Sequence, residues 1–174
     1  MPNTSLVEVQ YQEDNHPLSI PYRLAGLPRI EFDEAVKPIR AYLEQFNDNG
    51  ELAQMMLVDN VTNHRAGQVY VRELRIPAGS FILSRVHKKP LVNIISQGRV
   101  IVVDTNGTNE YVAPCTFVSP AGTQRIVVAP EETVWNTAHI TDVENPDELF
   151  NDLTCDNFAE YINYSHRIGQ EVTT

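Results

Sequence analysis

Between residues 68 and 141 short apolar runs follow one another closely, each ended by glycine or proline. Residues 68–76 alternate apolar with polar side chains, which is the period of a half-buried strand, and Pro77-Ala78-Gly79 turns the chain. Further strands are predicted over 81–87, 91–96 and 99–104. The last runs into Thr105-Asn106-Gly107-Thr108, where Asn-Gly supplies the positive-φ residues that a tight hairpin needs. Residues 116–119, 124–129 and 133–141 complete the set. Strands this short and this evenly punctuated predict a small sandwich or barrel.

The flanks have a different period. Phe32, Ala35, Val36, Ile39, Tyr42, Leu43 and Phe46 recur at spacings of three and four, which predicts an amphipathic helix over 31–46. Pro38 inside it predicts a kink or a late start, and Asn47-Asp48-Asn49-Gly50 is a stop signal. Asn145-Pro146-Asp147-Glu148 reads as a capped helix start, with the acids facing the helix dipole. Prolines at 2, 17, 21 and 28 predict an extended arm. The chain thus divides into an N-terminal arm and helix (1–66), a β-barrel (67–141) and a helical acidic segment (142–174).

The length of 174 residues suits one domain with decorated ends. The net charge of -10 is unevenly spread. Residues 1–66 hold ten acidic and five basic side chains, residues 67–140 five and seven, and residues 141–174 eight and one. Acidic flanks exclude a chain that coats nucleic acid through phosphate contacts. No apolar run reaches the ~18 residues of a membrane span. Cys115 and Cys155 form no CxxC pair, so a reducing compartment is expected.

Two spacings in the middle third carry a resemblance. Gly79, five residues, Arg85-Val86-His87, three residues, Leu91, six residues and Gly98 form the first. Pro114, five residues, Pro120-Ala121-Gly122, two residues, Arg125, three residues and Ala129 form the second, fifteen residues after Gly98. Together they resemble the paired motifs of the cupins, which implies a double-stranded β-barrel of jelly-roll type, to which the periodicity of the ends adds flanking helices. That resemblance also implies a metal site at positions 85, 87, 91 and 125, where only His87 is a ligand residue. Arginine stays protonated and is no practical ligand, and one histidine cannot fill a site of three or four donors. No cofactor is therefore expected, and the alternative is a divalent metal on His87 and His139.

Strand parity gathers Arg85, His87, Asn93, Arg125 and His139 at the barrel interior, with Trp135 as filler or stacking surface. Two guanidiniums, two imidazoles and an amide favour an anionic or hydrogen-bonding ligand. The competing reading has the arginines reaching solvent or pairing with Glu110, Glu131 or Glu132. Lys88 and Lys89 read as a solvated turn, and Cys115 as a small apolar residue. No GxSxG, HExxH or phosphate-binding glycine loop is present, so no catalytic residue is assigned.

Residues 117–123 and 132–139 also resemble cupin-like proteins encoded by tailed bacteriophages, which implies a viral source. The expectation is a non-catalytic structural or interaction protein of a phage, with the virion as one setting. It is expected to form a homo-oligomer, at least a dimer, through the arm and first helix, and to meet other virion proteins but neither nucleic acid nor membrane. Met1-Pro2-Asn3-Thr4-Ser5 starts no signal peptide, so the host cytoplasm or the virion is the expected location. The alternative is a small-molecule binder for anions, or a metal-assisted cupin enzyme, using the barrel interior.

Overall fold

The computed structural model describes residues 21–44 and 61–172. The N-terminal arm before residue 21 and the stop signal at 47–50 lie outside the described residues. Among the described residues there are three α-helices, eleven strands and one 3-10 turn, Pro21–Leu24, where an extended arm is expected. The strands are β1 (Val61–Ala66), β2 (Val69–Ile76), β3 (Ser80–Leu83), β4 (Val86–His87), β5 (Leu91–Gln97), β6 (Arg99–Asp104), β7 (Gly107–Val112), β8 (Cys115–Ser119), β9 (Ile126–Ala129), β10 (Thr133–Ile140) and β11 (Thr154–Cys155). The helices are α1 (Arg29–Glu44), α2 (Pro146–Leu153) and α3 (Phe158–Arg167).

One antiparallel sheet has the order β1-β2-β10-β5-β8 and the other β3-β9-β6-β7, with β4 and β11 as a separate pair. Ile76, Ile95, Val100, Val102, Val127, Ala129 and Trp135 pack between the two sheets as the barrel core. This is the mainly β architecture that the strand pattern predicts, closed as the double-stranded barrel that the motif resemblance implies, with flanking helices.

The hydrophobic pattern of each strand follows from what covers it. In β5 only Leu91, Asn93 and Ile95 are buried, while Val92 and Ile94 face outward. In β6 and β9 the runs Val100–Val103 and Ile126–Ala129 are buried throughout. Their second face carries Ile101, Val103, Ile126 and Val128, and α1 lies over it with Phe32 and Val36. A strand covered on both sides has no solvent face to keep polar.

α1 begins at Arg29 and continues past Pro38 to Glu44. The expected late start does not occur, because the apolar stripe must begin at Phe32 to reach the sheet. Phe32 N–H donates to Pro28 at 2.9 Å, and Arg29 Nε pairs with Asp33 one turn on at 3.0 Å. The helix stripe is thereby used on the helix's own barrel.

The hairpin after β6 forms one position earlier than Asn-Gly predicts. Asp104 pairs with Gly107, so Thr105 and Asn106 are the loop and Gly107, at φ +116°, closes it. Asp104 Oδ1 accepts from the Asn106 N–H at 2.8 Å, a side-chain turn that fixes the register. Upstream of residue 67, β1 pairs along β2 through the Gly67 turn. The acidic C-terminal segment adds β11 to its two helices.

Two of the three motif glycines have steric reasons. Gly98 has φ +74°, and a Cβ there would lie 2.2 Å from the Glu132 carbonyl oxygen. Gly122 has φ +80°, and a Cβ would meet the Tyr161 ring at 2.7 Å. Either position admits glycine alone.

Candidate functional site

The inward positions of β2 read Tyr70, Arg72, Leu74 and Ile76. They pair with His139, Thr137, Trp135 and Thr133 of β10. Across the next two strands Thr137 faces Asn93 and Asn93 faces Phe117. Polar side chains therefore occupy one end of a barrel whose other end is apolar.

A donor chain crosses this end. Trp135 Nε1 donates to Asn93 Oδ1 at 3.2 Å, and Asn93 Nδ2 donates to Ser119 Oγ at 2.7 Å. Arg125 Nη2 donates to the same Ser119 oxygen at 2.5 Å. Both lone pairs of the Ser119 hydroxyl are thus occupied, and its O–H is left to donate. Arg125 is only 6% exposed and lies over the Phe117 and Trp135 rings at 5.8 and 6.0 Å. Its Nε is buried without a partner among the described residues, as is His87 Nδ1.

His87 and His139 stack with ring centroids 5.9 Å apart, and Tyr70 lies 6.1 Å from His139. Burial pushes His87 down to about 3, helped by His139, Arg125 and Arg72. Burial also lowers His139 to about 4, with Arg72 and Lys89 adding to it. Both imidazoles are neutral at pH 7. Arg72 and Arg125 are lowered by burial as well, but from so high a value that they stay charged. Among the described residues neither guanidinium forms an ion pair; the Phe150 ring lies 5.9 Å from Arg72, and Tyr70, His87 and His139 are near enough to feel its charge.

The structure brings His87, Asn93, Arg125, Trp135 and His139 together, as parity predicts. Arg85 is not with them. It bonds Asp156 at 2.7 Å and Asn151 at 3.2 Å and lies 4.6 Å over Phe150. It thereby lines an open groove of about 740 Å³ against α3, with Lys88, His166 and Arg167. Residues 84 and 85 fall between β3 and β4, and the two-residue period holds only within a continuous strand. The turn lysines are also engaged: Lys88 reaches the Asn151 carbonyl and Lys89 pairs with Asp152 at 3.4 Å. Glu110 and Glu131 pair with Arg99 rather than with either site arginine. Arg72, Ser119 and Tyr70 were not anticipated, although the inward parity of Tyr70, Leu74 and Ile76 marks Arg72.

The residues present do not fit the divalent metal that the motif positions imply. Leu91 is buried core, Arg125 is a fixed cation beside His87, and the remaining donors are two imidazoles in a positive field. Among the described residues no three His, Cys, Asp or Glu side chains gather in one place.

No protein-family model matches the chain. No curated protein matches it either. Solved structures do resemble it. An acetylacetone dioxygenase from Acinetobacter johnsonii aligns at 17% identity and TM-score 0.41 over 46% of this chain, which spans 58% of that enzyme's length. A cupin domain from Bordetella pertussis aligns at 23% identity and TM-score 0.40 over 47% of this chain and 91% of its own. A cupin-2 domain protein from Shewanella frigidimarina aligns at 15% identity and TM-score 0.43 over 55% of this chain and 92% of its own. At these values the likeness is one of strand arrangement, and nothing of those proteins' activity passes to this chain. No described helix is long and apolar enough to cross a membrane.

Proposed function

We propose that this chain is a non-catalytic, metal-independent cupin-type protein whose barrel interior binds a small anion. The observation that carries the reading is a pair of guanidiniums, Arg72 and Arg125, at the polar end of the barrel with no carboxylate paired to either among the described residues. A charge removed from water needs a counter-charge, and here the unused groups are donors: Arg125 Nε, the Ser119 hydroxyl and the Arg72 guanidinium. The neutral histidines add hydrogen-bonding capacity without competing for the anion.

Trp135, the chain's one tryptophan, reports on the site directly. Titration with acetate at constant ionic strength is expected to shift its emission and raise the melting temperature. Both responses should be lost in Arg125→Gln. Silence in the intact protein, or stoichiometric transition metal that disappears in His87→Ala, would reject the reading.

A second reading, an interaction module that pairs with another copy of itself, is favoured by the outer face of the five-stranded sheet. Val71, Ala138, Val92 and Val118 form one row across four strands, with Val69 and Ile140 beside it. Val118 is 66% and Ile140 61% exposed. The charges at the margin neutralise one another, with Glu73 beside Arg75 and His64. A face without net charge lets two copies of a strongly acidic chain approach. The stripe of α1 is occupied on its own barrel, so the interface expected there moves to this face. The phage and virion setting belongs to this reading, and finding the chain in purified particles would support it. Sedimentation equilibrium at micromolar concentration should show a dimer that Val118→Lys dissociates; a single species near 19.7 kDa rejects it.

A further inference from the structure

Resting on the anion-binding reading, we infer that the ligand is a short dicarboxylate held end to end, one carboxylate at Arg125 and the Ser119 hydroxyl, the other at Arg72 beneath Phe150. The charge count comes first. Arg72 and Arg125 are cations without ion pairs among the described residues, Asp104 acts on Arg125 only from beyond pairing distance, and the two histidines are neutral, so the cup holds two unpaired cations. A monoanion leaves one guanidinium uncompensated, at the cost any unpaired buried charge carries.

The placement of the two cations then selects between dianions. Arg125 is tied to Ser119 at the end of β8, while Arg72 stands on β2. β10 and β5 lie between those strands, so β2 and β8 are three spacings apart, ~14 Å at about 4.8 Å each. Among the described residues no hydrogen bond or ion pair links the two guanidiniums through a shared partner, although His87 feels the charge of both. A single tetrahedral anion satisfies one arginine, whereas two carboxylates on a short carbon chain satisfy both.

The groups between the two ends suit such a linker. His139 stands on β10, between the strands that carry the two ends, and presents a neutral ring stacked on His87. Phe117 and Trp135 lie beneath Arg125 and offer apolar surface. Guanidinium is the side chain whose paired N–H groups match a carboxylate, and Arg125 keeps Nε free for that purpose.

The test uses the full chain with succinate, acetate and inorganic phosphate, read by calorimetry and by Trp135 emission. Succinate is expected to bind about ten- to a hundredfold tighter than acetate, the worth of one further charged hydrogen-bonded pair. In Arg72→Gln the succinate affinity should fall to that of acetate, with acetate itself unchanged. Equal affinity for acetate and succinate in the intact protein, or phosphate binding tighter than succinate, overturns the dicarboxylate while leaving the anion cup in place. Binding of none of the three, or succinate binding that survives loss of both arginines, overturns the dicarboxylate and the anion cup together. The ligand comparison on the intact protein decides the matter even if a variant does not fold.

Discussion

Phe32→Ala is expected to cost ~3–5 kcal/mol, the largest loss available from one side chain outside the barrel. Phe32 is fully buried on the face of α1 that meets Ile101, Val103, Ile126 and Val128, and no polar group would fill the void its removal leaves. The second face of the β3-β9-β6-β7 sheet is apolar throughout its centre, so loosening α1 also exposes an aggregation-prone surface. Ile30 lies on the same helix but is 78% exposed, and Ile30→Ala should stay within about 0.5 kcal/mol of the parent. Urea unfolding of the two variants measures the contrast. Equal midpoints would show that α1 does not hold the sheet.

Acid is expected to unfold the protein along a steeper curve than its carboxylates alone would produce. Folding holds His87 at about 3 and His139 at about 4, whereas an unfolded histidine takes its proton near pH ~6.5. Between these values the unfolded chain binds more protons than the folded one. Stability is therefore complete above about pH 6.5 and falls as the pH drops towards 4 and then 3, by up to ~1.4 kcal/mol per pH unit for each histidine. Arg72, Arg125 and Lys89 all add positive charge near these rings, so protonating them in place finds no relief. Urea midpoints measured from pH 7 to pH 4.5, where most carboxylates are still ionised, isolate the effect. The double variant His87→Gln, His139→Gln should lose less stability over that range than the parent. Parallel curves would show that the histidines are not held neutral by the fold.

Much of the barrel is legible in the chain because local rules act within a few residues. Alternation in β5 announces a strand with one wet face, and the unbroken runs of β6 and β9 announce strands with none. Gly98 and Gly122 mark turns that no other residue can make. Parity within β5 and β10 brings Asn93, Trp135 and His139 to one interior, and the motif spacing adds His87 and Arg125.

The remainder depends on pairings that sequence distance hides. Arg85 leaves the cup because the chain changes partner between β3, which pairs with β9, and β4, which pairs with β11. The hairpin register moves by one because the Asp104 side chain captures the loop N–H. Arg72 shares the inward parity of Tyr70, Leu74 and Ile76, but what its guanidinium meets is decided only when β10 closes over its row, and Ser119 gains its meaning only when Asn93 and Arg125 meet on it. Periodicity tells each side chain which way to point. Closure of the barrel tells it what it will meet, and the charge imbalance at the polar end exists only once two arginines from distant strands share one interior.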